Sequence, residues 1–182
     1  HSWYYSFPGD ECGYKWTVLV GKERQSRGIM ATTVPQTGGR GQFSVDRCIS
    51  FINEMGDRNR HIVIKSDQEP AAESLKTAVV DKQLLECIEL ERAEGRTVIE
   101  SSPVQSSASN GIVERAVQEV EGRIRATFLQ LEKRLGSEIN AKERIVAFMP
   151  EYAAYLLNRV HVWDDGKCAY ERTRGKRPKV LG

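Results

Sequence analysis

The sequence predicts an α/β fold in which strands and helices alternate around a single core. Strand-like runs, rich in β-branched and aromatic residues, occupy residues 2–7, 14–20, 28–34, 61–66 and 96–100. Runs with apolar residues at helical spacing occupy residues 43–55, 70–95, 113–135 and 145–158. A chain of 182 residues is long enough to bury one core and too short for two comfortable ones.

The strands differ in how they are connected. The polar segment KERQSR joins residues 14–20 to residues 28–34, which predicts an antiparallel hairpin. The run at 61–66, HIVIKS, is followed at once by Asp67, and Glu69 and Pro70 then stop the strand. An acid at the carboxyl end of a strand lies where α/β sheets place their ligands.

Three of the four helical runs are predicted to form helices that pack through their apolar stripes. The helix at 43–55 should end at Gly56, and the helix at 70–95 should begin at Pro70, which suits a first helical position. The stripe of the second is Leu75, Val79, Leu84 or Leu85, and Ile88. The stripe of the helix at 145–158 is Ile145, Phe148, Met149, Tyr152, Leu156 and Leu157. Pro150 should kink this last helix or mark a boundary within it.

The helix that follows the sequence SNG carries the main candidate residue, Glu114. Ser109 or Asn110 can cap it and Gly111 allows a sharp turn, so Glu114 is expected in the first helical turn. The predicted buried stripe is Val113, Val117, Val120, Ile124, Phe128, Leu131 and Leu135. The predicted exposed line is Glu114, Gln118, Glu121 and Arg125. An ordinary capped amphipathic helix explains the same pattern.

Asp67 and Glu114 together suggest a metal site. The segment between them is long enough for a helix, a strand and a loop that could bring the two carboxylates together. Two such acids can share a hard cation that prefers oxygen ligands, usually Mg²⁺ or Mn²⁺.

Composition narrows the compartment and the partners. With 27 Lys and Arg against 25 Asp and Glu, the overall charge does not point to nucleic acid, but a local basic patch forms near the end of the chain. It contains Arg172, Arg174, Lys176, Arg177 and Lys179, and a solvated tail is the alternative. The four cysteines are scattered and are expected to be free thiols. No signal peptide or membrane span is recognisable, so an intracellular protein is expected.

The order of these motifs resembles one family. A strand ending in SDQEP, followed by SxSNGxxER opening a helix, resembles the integrase core, or rve domain, of retroviruses and LTR retrotransposons. The tail AYERTRGKRPKVLG is similar to the segment that follows this core in Copia-like elements. The resemblance implies a ribonuclease-H-like fold with a five-stranded mixed sheet flanked by helices. It also implies a core at 1–160, a basic C-terminal extension at 161–182, and an origin within a longer polyprotein.

For intact members, the resemblance implies Mg²⁺-dependent DNA strand transfer by an Asp, Asp, Glu triad. Asp67 matches the second acid and Glu114 the third, but the first acid falls on Tyr4. A phenol cannot replace a carboxylate that bridges two cations. Asp10 and Glu11 belong to the turn that follows the first strand. This copy is therefore expected to be degenerate, with weakened metal binding.

The resemblance also implies DNA as the partner. Asn110, Arg115 and Gln118 are the candidate DNA-binding residues beside Glu114, and each has an alternative as a cap or an exposed polar residue. Arg174, Lys176 and Arg177 are the candidates in the tail, and Arg24 and Arg27 are expected in a solvated loop, with DNA contact as the alternative. Homo-oligomers, no small-molecule cofactor, and a nuclear or retrotransposon-particle location are expected.

Three functions are therefore open. The chain is an integrase core that performs DNA integration, or a metal-poor descendant that binds DNA without cutting it, or another ribonuclease-H-like protein such as a transposase or nuclease. The SNGxxER helix and the GKRP tail favour the first two.

Overall fold

The computed structural model of the chain describes residues 2–6, 15–35, 41–57, 62–66, 69–89, 97–101 and 107–179. For residues 2–6, 86–89, 97, 98, 100, 101 and 107–110 it describes the backbone alone. The chain forms two compact units, one from Val34–Ile112 and one from Ser2–Thr33 with Val113–Gly182. The predicted division into 1–160 and 161–182 stays a prediction.

The first unit contains two parallel strands and two helices. The elements are α1 (Gln42–Glu54), β4 (Ile62–Ser66), α2 (Pro70–Glu89) and β5 (Thr97–Ser101). Strands β4 and β5 pair from Ile62 opposite Thr97 to Ser66 opposite Ser101. The core of this unit is built on Val45, Ile49 and Val79, with Cys48, Ile52, Ile64, Leu75 and Ala78 packed against them. The predicted elements of this unit are therefore confirmed, and Gly56, with a φ of 81°, follows α1 as expected.

The predicted stripe of α2 is correct at its start and wrong at Leu84 and Leu85, and the side chain of Ile88 lies outside the described residues. Leu75 and Val79 contribute to the core, but Leu84 and Leu85 are 52% and 59% exposed. Leu84 follows Val79 by five residues, which turns its side chain about 140° around a helix of 3.6 residues per turn. Lys76, next to Leu75, is buried instead, and its Nζ lies 2.7 Å from the Glu73 carboxylate.

The second unit contains an antiparallel sheet of three strands and three helices. The strands are β1 (Ser2–Ser6), β2 (Lys15–Lys22) and β3 (Ile29–Thr33), in the order β1-β2-β3. The helices are α3 (Ser107–Leu135), whose first turns belong to the first unit, α4 (Arg144–Arg159) and α5 (Ala169–Arg174). The predicted hairpin is confirmed, with Val18 opposite Thr33 and Lys22 opposite Ile29.

The core of this unit joins β2 and β3 to α3 and α4. Its fully buried members include Val18, Val20, Val120, Ile124 and Val146. The Trp16 indole N–H donates to the carbonyl of Ala141 at 2.8 Å, which ties β2 to the turn before α4. These contacts fix one face of α3 against the sheet.

Helix α4 lies along the edge strand β3. Thr33 donates its hydroxyl hydrogen to the Ala147 carbonyl at 2.7 Å, and Thr32 donates to the Glu151 carboxylate at 2.6 Å. Pro150 lies inside the helix and is buried, so it marks no boundary. Its missing N–H is tolerated within a helix that tertiary contacts of this kind hold in place.

The predicted buried face of α4 is correct at Met149 and Leu157, only partly buried at Leu156, and wrong at Ile145, Phe148 and Tyr152. The buried residues are Val146, Met149, Pro150, Ala153, Ala154 and Leu157. Ile145, Phe148 and Tyr152 are 43%, 56% and 39% exposed, because they lie on the neighbouring stripe, one residue earlier. The buried face therefore combines Ala153 and Ala154 with larger apolar residues, and the aromatic side chains of Phe148 and Tyr152 face outward.

The range 161–182, predicted as a basic C-terminal extension, contains a short helix. Residues Ala169–Arg174 form a helical segment, and Gly175 follows it with a φ of 66° in the left-handed region. Cys48 and Cys168 are free thiols, as predicted, and burial raises the pKa of Cys48 to about 11. Cys12 and the side chain of Cys87 lie outside the described residues. Within the described ranges, none of the helices is long and apolar enough to cross a membrane.

Candidate functional site

Helix α3 begins at Ser107, earlier than the sequence predicts. Ser109 and Asn110 therefore lie within the first turn rather than capping the helix, and Gly111 has a helical backbone with no positive φ. Once a helix exists, each added residue gains a backbone hydrogen bond at a small further cost, so the SASN segment extends α3 backwards. Glu114 consequently lies at the end of the second turn, and its predicted place in the first turn is wrong.

The outward face of α3 is as predicted. Glu114, Arg115 and Gln118 are exposed, and Gln118 lies one turn beyond Glu114. Glu121 is half-buried and pairs with exposed Arg125 at 3.4 Å between Arg125 Nη2 and Glu121 Oε2. Among the described residues, Glu114, Arg115 and Gln118 have no hydrogen-bond or ion-pair partner. These three side chains are available for a ligand.

The inward face of α3 has a core different in detail from the predicted stripe. Ala116, Val120, Ile124 and Phe128 are buried at intervals of four residues. Val113, Val117 and Leu131 are partly buried, and Leu135 is 60% exposed because the helix ends there, beyond the core. Glu114 is turned about 160° around the helix from Ala116 and is exposed.

A hard cation fits the chemistry of Glu114. An exposed carboxylate without a protein partner is the kind of ligand that Mg²⁺ and Mn²⁺ accept. Asp67 lies outside the described residues, and β4 ends at Ser66, directly before it. Among the side chains that the structure describes, no three His, Cys, Asp or Glu residues gather to hold a metal. The Asp67 and Glu114 pair therefore stays a prediction.

Tyr4 lies on β1, as predicted, with Thr17 of β2 as its partner in the register. Its side chain is outside the described residues, as is that of Asn110. The substitution of the first acid by Tyr4 therefore stays a prediction from the sequence register.

The basic tail divides into two groups. Arg174, Lys176 and Arg177 are exposed, as a phosphate contact requires. Arg177 Nε lies 3.6 Å from the carboxylate of Glu171, but its side chain is 84% exposed. Arg172 is different, because its side chain is only 13% exposed and it pairs with Asp165 at 2.6 Å.

Arg172 belongs to a cluster that the sequence analysis missed. The Trp163 cluster consists of Lys22, Arg27, Glu119, Trp163 and Arg172, all in the second unit. Its members come from the β2–β3 hairpin, α3 and the segment around α5. Residues so far apart in sequence share no local motif. The sequence indicated Arg27 as a possible DNA contact and Arg172 as part of the basic patch, but not that the two meet.

No protein-family model and no curated protein matches the sequence. Solved structures do match the fold. A chain of the simian T-cell lymphotropic virus intasome in complex with PP2A regulatory subunit B56 gamma aligns with a TM-score of 0.66 and 14% identity, over 100% of this chain and 54% of that one. The present chain thus spans about half the length of that match.

Two isolated core domains align over most of both partners. The HTLV-2 integrase catalytic core domain in complex with magnesium, in its trimeric form, has a TM-score of 0.61 and 14% identity, over 96% of this chain and 93% of that one. The catalytic core domain of BIV integrase has a TM-score of 0.53 and 20% identity, over 87% of this chain and 86% of that one. The chain therefore has the ribonuclease-H-like α/β fold of retroviral integrase catalytic cores.

Proposed function

We propose that this chain is an integrase-type core domain that binds DNA, and that its strand-transfer reaction is impaired because Tyr4 occupies the position of the first acid. The observation that carries the proposal is Glu114, an exposed and unpaired carboxylate on α3 of a chain with the integrase-core fold. It occupies the third-acid position of the sequence resemblance. DNA binding alone, without the reaction, is the second candidate, and it is favoured by the phenol at Tyr4.

Asp67 and Glu114 are the residues that would hold Mg²⁺ or Mn²⁺. Their affinity for the ion would be weakened because Tyr4 replaces the carboxylate of the first acid. A bound ion would supply charge stabilisation to the phosphate that reacts. One of the HTLV-2 matches was solved in complex with magnesium. Glu114 fits this role because no side chain of the described residues competes for its oxygens.

The neighbours of Glu114 would position DNA. Gln118 can donate its amide hydrogens to a phosphate or a base, and the Arg115 guanidinium can pair with a phosphate. Asn110, one turn before Glu114, would contact the DNA end. In the proposed basic extension at 161–182, Arg174, Lys176 and Arg177 are exposed cations that would neutralise further phosphates.

The finer assignments are also proposals. The tail supports an origin in a Copia-like LTR retrotransposon, and the likeness to integrase cores supports the five-stranded mixed sheet that the resemblance implies. The proposed location is intracellular, in the nucleus or in a retrotransposon particle, because integration takes place on nuclear DNA.

A homo-oligomer is proposed on the outward face of α4. Ile145, Phe148 and Tyr152 are exposed along one stripe, and the rings of Phe148 and Tyr152 stack with centroids 6.4 Å apart. The Tyr155 ring continues the stack at 6.3 Å from Tyr152. Exposed apolar surface of this kind marks interaction sites. The HTLV-2 core domain was solved in dimeric and trimeric forms.

The experiment compares the unmodified chain with Tyr4→Asp and with the double variant Tyr4→Asp, Glu114→Gln. DNA binding is measured by fluorescence anisotropy with a mixed-sequence duplex. Mn²⁺ binding is measured by electron paramagnetic resonance, and strand transfer is measured in the full-length context. The matched control is Glu121→Gln, because an exposed ion pair such as that of Glu121 contributes little to stability.

The expected result is DNA binding by every variant, tighter Mn²⁺ binding and recovered strand transfer in Tyr4→Asp, and loss of both in the double variant. Glu121→Gln in the Tyr4→Asp background should retain both. Strand transfer by the unmodified chain would refute the assignment of Tyr4. DNA binding without transfer by any variant would support the second candidate, and no DNA binding would contradict both.

A further inference from the structure

Three cationic side chains surround one indole ring in the Trp163 cluster. The Cζ of Arg27 lies 4.6 Å from the ring centroid of Trp163, the Nζ of Lys22 lies at 4.9 Å, and the Cζ of Arg172 lies at 5.9 Å. His161 packs against the ring edge, with centroids 4.5 Å apart. Cation–π attraction explains each contact taken singly. It does not explain why three like charges are gathered at one ring.

Two of the three cations are neutralised within the protein. Lys22 Nζ lies 3.6 Å from a Glu119 carboxylate oxygen. Arg172 donates two hydrogen bonds to Asp165, from Nη2 at 2.6 Å and from Nε at 3.2 Å. Arg27 has no carboxylate or hydrogen-bond partner among the described residues. The cluster therefore carries one excess positive charge, and Arg27 bears it.

The buried part of the cluster has more donors than acceptors. The side chain of Lys22 is only 7% exposed, and its Nζ has no hydrogen-bond partner within 3.5 Å. The same holds for the Trp163 indole N–H and for one carboxylate oxygen of Glu119. Burial lowers the pKa of Lys22, Glu119 opposes this, and Arg27 and Arg172 lower the pKa further. Unpaired buried groups are costly, and these atoms are enclosed by the protein, so Arg27 is the cation of the cluster that is open to a ligand.

The backbone of Arg27 is held in an uncommon conformation. Its φ is 64°, the one positive φ of a non-glycine residue among those described. This left-handed region is unfavourable for an ordinary side chain. The hairpin thereby presents an exposed guanidinium whose Cζ lies over the Trp163 ring. Stacking leaves the in-plane N–H groups of an arginine free to donate, and their fork matches a phosphate.

We propose that Arg27, held on Trp163, is a binding residue for a phosphate of a nucleic-acid backbone. This inference rests on the proposed DNA binding and places a contact on the β2–β3 hairpin, apart from α3 and from the tail. The Trp163 ring positions Arg27, and Lys22, whose Nζ lies over the same ring system, adds positive potential. For Arg24, in the same connection, no aromatic ring among the described residues makes a cation–π contact.

The test compares Arg27→Asn with Arg24→Asn, which makes the same change of charge in the same loop. Asparagine tolerates a positive φ, so Arg27→Asn should keep the fold, and its thermal unfolding midpoint provides the check. Binding of duplex DNA is measured by anisotropy at several salt concentrations, with two unrelated sequences. One lost phosphate contact lowers the slope of log K against log salt by about 0.9.

The expected result is that slope change for Arg27→Asn, equal on both sequences, and a smaller change for Arg24→Asn. Arg27→Lys should keep most of the slope but bind more weakly, because it lacks the planar fork. Equal slopes for wild type and Arg27→Asn, or equal losses from both arginines, would overturn the inference while leaving the proposed function intact. If wild type does not bind DNA, both fail.

Discussion

Asn158 offers a direct test of how α4 is attached to the sheet. Its side-chain oxygen accepts a hydrogen bond from the backbone N–H of Ile29 at 2.8 Å, and its amide donates to the Ile29 carbonyl at 2.7 Å. Strand β3 is the edge of the β1-β2-β3 sheet, so Asn158 satisfies backbone groups that would otherwise face outward. Ile29 is 2% exposed, and water cannot easily take over this role.

Asn158→Ala should therefore leave one buried N–H and one buried carbonyl without a partner. Each orphaned group costs about 1–3 kcal/mol, which predicts a loss of about 4 kcal/mol in the free energy of unfolding. For a chain of this size, 1 kcal/mol corresponds to about 2–4 °C, so the unfolding midpoint should fall by about 8–16 °C. Circular dichroism on heating measures the midpoint, and urea titration measures the free energy.

The matched control is Asn140→Ala. The Asn140 side chain accepts a hydrogen bond from the Lys142 N–H at 2.9 Å, but the pair is exposed and water can replace it. This variant should lie within about 0.5 kcal/mol of wild type. If Asn158→Ala were equally mild, the two bonds to Ile29 would contribute nothing net, and the reasoning about edge satisfaction would be refuted.

Two further predictions concern pH and assembly. Burial tends to raise the pKa of Glu23, but hydrogen bonds from the Ser26 hydroxyl and from backbone N–H groups in the turn outweigh it and hold the pKa below its ordinary value. The stability that Glu23 contributes is thus present above its ordinary pKa and is lost as the pH falls through the lower pKa of the folded state. The free energy of unfolding of wild type should therefore exceed that of Glu23→Gln near neutral pH, and this difference should vanish in acid. A difference that stays constant with pH would contradict the prediction. Phe148→Lys should shift the molar mass measured by light scattering toward the monomer. Leu129→Lys, a control on an exposed leucine of α3, should not. An equal mass for wild type and Phe148→Lys would exclude the outward face of α4 as the interface.

The local sequence pattern was sufficient to predict the strands and helices, because strand and helix periods are properties of short segments. The hairpin, the strand before Asp67 and the outward direction of Glu114 all follow from such periods. The start of α3 did not, since Ser109 and Asn110 suit a cap and a first turn equally well. The Trp163 cluster could not be predicted at all, because Lys22, Glu119 and Arg172 meet only through the fold.

The buried face of α4 shows that side-chain size alone does not predict which residues of a helix are buried. The sequence prediction chose Phe148 and Tyr152 for the core because large apolar side chains gain most from burial. In the fold, Ala153 and Ala154 are buried in the core instead, and Asn158, further along the same helix, bonds the backbone of β3. The large rings are consequently left outside, where a second copy of the chain is proposed to cover them.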